Sequence, residues 1–261
     1  MRIATWNING VRARIANLQT WLRDEAPDVV CLQEIKCVDE AFPTAEIESL
    51  GYNVATHGQK GFNGVAILSK RPMEEVSGGL PGDEEDLHAR FIEAIVPGDH
   101  GGTVRVASIY LPNGNPVESD KFAYKLAWLE RLLVHARERL LLEEPMVLAG
   151  DYNVIPTELD ANNPKKWVND ALFQPESRSL FRALANLGLT DAIRIHEPGP
   201  GVYTFWDYTG GAWQKNDGIR IDHLMLSPQA TDRMTAAGVD RAVRSWEKPS
   251  DHVPAWVDLD V

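Results

Sequence analysis

Short runs of Ile, Val and aromatic residues recur along the whole chain, and each run is bounded by Gly, Pro, Asn or Asp. Runs of this length and composition predict β-strands, and the turn-forming residues predict where each strand ends. The predicted strands are Arg2–Trp6, Asp28–Gln33, Tyr52–Thr56, Val65–Ser69, Phe91–Val96, Val104–Tyr110, Met146–Gly150, Asp222–Leu226 and Pro254–Leu259.

Helical periodicity lies between some of these runs. Ile15, Leu18 and Leu22 recur at a spacing that places them on one helix face, and apolar residues repeat similarly across Ser119–Leu142. No linker rich in Gly, Ser or Pro divides the sequence. We therefore expect one α/β domain over residues 1–261, with antiparallel or mixed strands and helices that cover the sheets.

The composition is that of an ordinary globular protein, with 44% hydrophobic and 25% charged residues. No apolar run reaches the roughly 18 residues of a membrane span, and the first residues lack the apolar block of a signal peptide. We expect a soluble intracellular protein without a membrane partner, and a bacterial cytoplasm is the default location. Cys31 and Cys37 are too few for a zinc cluster or a disulfide framework, and Cys31 is expected in the core.

The formal net charge of −12 argues against nucleic-acid binding through overall charge. Affinity for a polyphosphate comes mainly from Lys and Arg side chains that neutralise phosphates. A nucleic-acid function would therefore need a locally positive face or a bound cation. The candidates for such a face are Arg12, Arg14, Lys36, Lys60, Arg90, Lys121, Lys125 and Lys215.

Polar side chains follow several predicted strands directly: Asn7, Glu34, Tyr110 and Asp151, the last with Asn153 two residues on. Pockets gather where rigid strands emerge from a core. Taken singly, each residue has an ordinary interpretation as an exposed strand end, a helix cap or a core-edge tyrosine. The recurrence of such residues after several strands favours a shared binding or catalytic site.

Near the end of the sequence, His252 is preceded by Asp251, and Asp222 opens another predicted strand. This pattern resembles an imidazole that is oriented by a carboxylate. Ser250, Asp251 and His252 are not a serine-protease triad, because the members of such a triad are adjacent only in space.

The candidate residues together form an oxygen-rich set that suits a hard cation such as Mg²⁺. Phosphodiester cleavage is the chemistry that such a site serves best. The motifs of P-loop nucleotide-triphosphate enzymes and of zinc proteases are absent from the sequence.

The segments that carry these residues occur in the order found in exonuclease III and related apurinic/apyrimidinic endonucleases, members of the endonuclease/exonuclease/phosphatase superfamily. The chain resembles this family from Arg2 to Val257. The segments are Trp6–Arg12, Leu32–Lys36, Tyr110–Gly114, Gly150–Asn153, Tyr203–Trp206, Arg220–Asp222 and Ser250–Pro254. The segments around Gly150 and Ser250 are shared across the superfamily, whereas those around Glu34, Phe205 and Arg220 are more specific to its DNA-repair branch.

The resemblance implies a four-layered α/β sandwich, with two mixed β-sheets packed face to face and helices outside. It also implies a Mg²⁺ ion, for which Mn²⁺ could substitute, held mainly by Glu34 with support from Asn7. Asp251 belongs to the same metal shell. The candidate ligands for a second ion are Asp151, Asn153 and His252. Asn9 stands where some family members have an aspartate.

The resemblance further implies catalytic roles. Asp151 orients or deprotonates the attacking water, Asn153 helps to hold the phosphate, and His252 contacts the scissile phosphate under the influence of Asp222. Tyr110 and Asn113 face the phosphate, and the tyrosine is either an ionised base or a hydrogen-bond donor. For an extruded abasic sugar, the resemblance implies a pocket wall at Phe205. Candidate neighbours in this pocket are Trp206, Ile219 and Ile221. Trp213 lies in a loop-like segment, where an exposed indole could wedge against DNA.

The leading hypothesis is a Mg²⁺-dependent DNA-repair nuclease that cuts 5′ to an abasic site. We expect a monomer that acts on double-stranded DNA with abasic sites or blocked 3′ ends, with added 3′→5′ exonuclease and 3′-phosphatase activity. Two alternatives remain. One is a phosphodiesterase for a non-DNA phosphoester, and the other is a catalytically silent scaffold that binds nucleic acid or protein.

Overall fold

The computed structural model describes residues 1–261 and contains two six-stranded sheets. The strands are β1 Arg2–Asn7, β2 Val29–Gln33, β3 Asn53–His57, β4 Val65–Ser69, β5 Glu74–Gly78, β6 Phe91–Pro97, β7 Thr103–Tyr110, β8 Met146–Asp151, β9 Thr190–Asp191, β10 Asp222–Leu226, β11 Met234–Val239 and β12 Ala255–Leu259. The helices are α1 Ile15–Asp24, α2 Thr44–Glu48, α3 Asp120–Leu140, α4 Pro175–Asn186, α5 Ala192–His196 and α6 Pro228–Thr231. No helix combines the length and the apolar character that a membrane crossing requires.

Both sheets are mixed. The first has the strand order β11-β12-β1-β2-β4-β3, and the second has the order β5-β6-β7-β8-β10-β9. In the first sheet β1 and β2 are parallel, and in the second sheet β7 and β8 are parallel. The remaining neighbours are antiparallel.

The two sheets pack face to face because alternate residues of each strand are apolar on the shared side. Ile3 and Cys31 of the first sheet lie in one core cluster with Val106 and Val147 of the second. The other face of β1 presents Trp6, whose ring packs edge to face against Trp21 of α1. This arrangement confirms the four-layered α/β sandwich, and it confirms Cys31 as a core residue.

All the strands expected from the sequence are present, with ends that shift by one residue at most. The helix expected across Ser119–Leu142 is α3, which begins after Ser119, whose hydroxyl accepts a hydrogen bond from the backbone N–H of Lys121. The pattern did not predict β5, β9 and β11. β5 is exposed throughout, β9 has only two residues, and β11 is built from small residues, so none carries the apolar signal of a buried strand.

Candidate active site

The site lies at one edge of the sandwich, where strands of both sheets end. Asn7 closes β1 and Glu34 follows β2, while Tyr110 closes β7 and Asp151 closes β8. The register pairs Tyr110 and Asp222 with Asp151 on either side. The parallel pairing of β7 with β8 and the antiparallel pairing of β8 with β10 therefore bring together side chains that are far apart in sequence.

Asn7 joins the two sheets at this edge. Its Nδ2 donates to Glu34 Oε1 at 2.9 Å and to Asp151 Oδ2 at 2.9 Å. Glu34 Oε2 lies 2.8 Å from Lys36 Nζ. Glu34 has φ 50°, a left-handed conformation that costs a non-glycine residue about 1–3 kcal/mol. The fold holds this carboxylate in place against that cost, which is typical of a functional position.

His252 lies between two carboxylates, and all three residues are buried. Its Nδ1 is 2.8 Å from Asp222 Oδ2, and its Nε2 is 3.8 Å from Asp151 Oδ2. Burial opposes the charged imidazole, but the charge and hydrogen bond of Asp222 outweigh it and raise the pKa of His252 to about 10. Burial also raises the pKa of Asp151, although the nearby imidazolium lowers it in part. The sequence-based expectation of a carboxylate beside this histidine is thus met in the geometry.

Tyr110 stands beside the same carboxylates. Burial raises its pKa well above the usual value, and the negative charges of Glu34 and Asp151 raise it further. The guanidinium of Arg90 lies 4.8 Å from the ring centre. At neutral pH the phenol therefore keeps its proton, which favours the donor over the ionised base among the two roles expected for Tyr110.

Two amides face each other next to this cluster. Asn113 Nδ2 donates to Asn153 Oδ1 at 3.2 Å, and Asn153 Nδ2 donates to the carbonyl oxygen of Leu111 at 2.9 Å. The backbone N–H of Asn153 donates to Asp151 Oδ1 at 2.9 Å. The side chain of Asn113 is exposed at the rim, so its amide is accessible to a ligand.

The residues at this edge could hold a metal ion. Ligand atoms of Asp151, Asp222 and His252 all lie within 4.8 Å of one another, and the Nδ2 of Asn7 connects Glu34 Oε1 to Asp151 Oδ2. Asp222 Oδ1 is buried without a hydrogen-bond partner. Carboxylate and amide oxygens suit a hard divalent cation, so the residues fit such an ion. Asp251, expected in the metal shell, accepts a hydrogen bond from Asn9 Nδ2 at 3.0 Å.

A cleft of about 270 Å³ is lined in part by Phe205, Trp167 and Ala212. The ring of Phe205 lies 5.0 Å from the ring of His252, measured between centroids. Trp213 is half-buried between the edge of Trp206 and the guanidinium of Arg241, each 4.9 Å from its ring. Its contact with DNA stays a prediction.

Three residues expected to contact DNA lie inside the protein. Trp206 and Ile221 are 1% and 2% exposed, and Ile221 lies in the core cluster against which Phe205 packs, so the contact of these two residues with DNA stays a prediction. Lys125 is 0% exposed, and its amine donates to backbone carbonyl oxygens. The expectation that Lys125 contacts DNA is wrong, because the sequence of an amphipathic helix does not show which residues at the border of its apolar face point inward.

One residue of the site was not predicted. The hydroxyl of Thr204 accepts hydrogen bonds from the backbone N–H groups of Ile221 and Asp222, each at 3.1 Å, and its carbonyl oxygen accepts from Val253 at 2.8 Å. It therefore ties together the chain on both sides of the Asp222–His252 pair. Its place inside the Tyr203–Trp206 segment was the only available signal.

Comparison with known proteins agrees with this geometry. The sequence profile of the endonuclease/exonuclease/phosphatase family matches residues 4–252. The chain is 35% identical to exodeoxyribonuclease III of Haemophilus influenzae over 99% of this chain and 100% of the relative. Among solved structures, an AP endonuclease from Archaeoglobus fulgidus has a TM-score of 0.93 at 36% identity. A 3′ phosphatase from Neisseria, bound to a product DNA hairpin, has a TM-score of 0.94 at 35% identity. Both structures and this chain cover each other completely.

The chain therefore belongs to the endonuclease/exonuclease/phosphatase family. Its similarity to nucleases extends over their full lengths, which makes it an enzyme of the DNA-repair nuclease branch.

Proposed function

We propose that the protein hydrolyses the phosphodiester 5′ to abasic sites in double-stranded DNA, with a divalent cation, and that it also removes nucleotides or phosphate from 3′ ends. The observation that carries the proposal is the buried Asp151–His252–Asp222 cluster, which places a base and a charged imidazole at one accessible edge. The similar structures are named as an AP endonuclease and as a DNA-bound 3′ phosphatase, which supports both halves of the proposal.

In this proposal, Asp151 holds the attacking water in line with the scissile bond and accepts its proton. The water oxygen forms the new bond to phosphorus, the bond from phosphorus to the 3′ oxygen breaks, and that oxygen takes a proton from solvent to leave a 3′-hydroxyl. His252, kept protonated by Asp222, donates from Nε2 to a phosphate oxygen. The hydroxyl of Tyr110 donates a hydrogen bond to a second phosphate oxygen, and the amides of Asn113 and Asn153 donate hydrogen bonds to the same phosphate. No side chain has to form a covalent intermediate.

We propose Mg²⁺ as the physiological cation, with Mn²⁺ as a substitute, held by Glu34 and Asn7 with Asp251 nearby. Asp151, Asn153 and His252 remain the candidate ligands for a second ion. When bound, the cation offsets negative charge that develops on the phosphate. Phe205 lines the cleft that would take the extruded sugar.

The test is incision of a duplex that carries one tetrahydrofuran abasic analogue, with Mg²⁺, with Mn²⁺ and with EDTA, resolved on a denaturing gel. We expect one cut 5′ to the lesion that EDTA abolishes and that Glu34→Ala lacks. Glu40→Ala, an exposed glutamate outside the site, serves as the matched control and should cut normally. DNA binding without incision would favour a silent scaffold, and the absence of both would turn attention to non-DNA phosphoesters.

A further inference from the structure

The loops that follow β7 and β8 leave the sheet together. Strand pairing ends at Tyr110 and Asp151, and one more backbone hydrogen bond follows, from the N–H of Leu111 to the carbonyl oxygen of Asp151 at 2.8 Å. Beyond that point, side chains connect the two loops. Asn113 and Asn153, one on each loop, are therefore not positioned by the sheet itself.

The amine of Lys125 lies beneath both loops. Lys125 belongs to α3, and its Nζ donates to the carbonyl oxygen of Asn113 at 3.0 Å and to that of Asn153 at 2.5 Å. The side chain has no exposed surface, so these two carbonyls are its partners rather than DNA or solvent. One amine thus connects the backbone of both amide-bearing residues at the same point.

The loop backbone is shaped around this side chain. Gly114 has φ 88°, and a Cβ at that position would come within 2.6 Å of Lys125 Cδ. Asn153 has φ 47°, a left-handed conformation that a non-glycine residue adopts at a cost. The loop of Asn113 thus approaches the lysine closely at Gly114, and the carbonyl oxygen of the left-handed Asn153 accepts from the same amine.

A purely structural role does not explain this choice of residue. A fully buried amine is less favourable than an apolar side chain of the same length, and α3 packs against the sheet mainly through apolar residues. Buried polar groups that are fully hydrogen-bonded hold their surroundings rigidly. Such rigidity has a measurable effect on the rate of an enzyme, because catalytic groups must be held within a fraction of an ångström of their productive positions.

We propose that Lys125 is a positioning residue of the reaction: its amine ties the Asn113 and Asn153 loops together, so that both amides meet the scissile phosphate opposite Asp151. The inference rests on the proposed function. It assigns to a buried lysine a role in turnover and none in attracting DNA.

The first experiment compares wild type with Lys125→Met on the tetrahydrofuran duplex, below the thermal transition of both proteins. We expect kcat to fall about 10–100-fold, because misplacement by about 1 Å has effects of this size. The Kd for DNA in EDTA, measured by fluorescence anisotropy, should stay unchanged. Arg137→Met removes an exposed cation from the same helix and should leave kcat at the wild-type value.

The second experiment separates positioning from general loosening of the fold. In an Asn113→Ala/Asn153→Ala background, the amides that Lys125 positions are absent, so adding Lys125→Met should cause no further loss of single-turnover rate. A further loss equal to that in the wild-type background would overturn the inference. So would a wild-type kcat in Lys125→Met.

If Lys125→Met lacks a cooperative thermal transition, Lys125→Leu replaces it in both backgrounds, because a leucine side chain is also apolar and donates to neither carbonyl oxygen. An undiminished further loss in the double-alanine background, or a wild-type kcat in the replacement variant, would again overturn the inference. Failure of the wild-type protein to incise the duplex would contradict the proposed function and therefore also the inference. Normal incision by wild type and by the lysine variant alike would remove only the inference.

Discussion

Asp151 is held from three directions. Its oxygens accept hydrogen bonds from the Asn7 amide and from the backbone of Asn153, and the imidazole of His252 lies 3.8 Å away. Burial disfavours its charge, which makes the carboxylate a better proton acceptor than an exposed aspartate. These contacts fix one residue at the point where the proposed water would be activated.

Replacing Asp151 by asparagine keeps its shape and removes its basicity. We expect Asp151→Asn to lower kcat on the abasic duplex by about 10²–10⁴-fold, the range for loss of a general base. Because no charge repels the phosphate in the variant, DNA binding should be retained. Gel-based single-turnover kinetics and anisotropy measure the two quantities, with Asp232→Asn on the surface as control. A near-normal kcat would remove Asp151 from the mechanism.

His252 and Asp222 predict a pH dependence. The imidazolium is the proposed donor, so activity should be present below the folded pKa of about 10 and lost as pH rises through it. Asp222→Asn removes the charge that raises this pKa, so the alkaline loss of activity should occur at lower pH, by about 1–3 pH units. Profiles of kcat/KM against pH for both proteins provide the measurement. Coincident alkaline limits would show that His252 does not act as the donor.

At the level of elements, the sequence predicted what depends on local pattern. Buried strands such as β4 and β10 are apolar runs with turn residues at both ends, and the predicted bounds of these two strands match the observed bounds. The register that sets Asp222 beside Asp151 depends on distant pairing, which no local pattern carries. For the same reason the helix periodicity identified α3 but left Lys125 on the wrong side of it.

Gly150 shows how tightly β7 and β8 must approach for the site to form. A Cβ on Gly150 would lie 2.0 Å from the carbonyl oxygen of Ile109, its partner across the parallel pair. We expect Gly150→Ala to separate the strands, to lower the free energy of unfolding by about 1–3 kcal/mol or more, and to reduce incision by displacing Asp151. Thermal unfolding and incision assays test this.

The matched control is Gly199→Ala, where an added methyl group meets nothing within 4 Å. It should leave both stability and incision near their wild-type values. Equal stability of Gly150→Ala and wild type would mean that the strands tolerate the methyl group and that the close approach does not constrain the site.

For the whole molecule, the distribution of charge matters more than its sum. The net charge is −12, yet two exposed lysines line clefts that include candidate site residues: Lys121 lies in a cleft with Asn113, and Lys215 lies in a cleft with Phe205. Lys121 lines a cleft of about 550 Å³ together with Arg90 and Asn113. Asn113 belongs to both the cleft and the candidate active site, so we expect a DNA backbone to follow this cleft.

If the path is used, Lys121 neutralises a phosphate and releases counterions on binding. Lys121→Gln should then weaken binding and make the plot of log K against log salt shallower by about 0.9 for one lost phosphate contact. Lys70→Gln is the matched control, because Lys70 follows β4 at the opposite edge of the sheet, where Ser69 pairs with Val29. Anisotropy titrations across a salt series measure both slopes. Since turnover depends on the buried cluster rather than on this surface, kcat at saturating DNA should be equal in all three proteins. Equal salt slopes for Lys121→Gln and wild type would place the DNA elsewhere on the molecule.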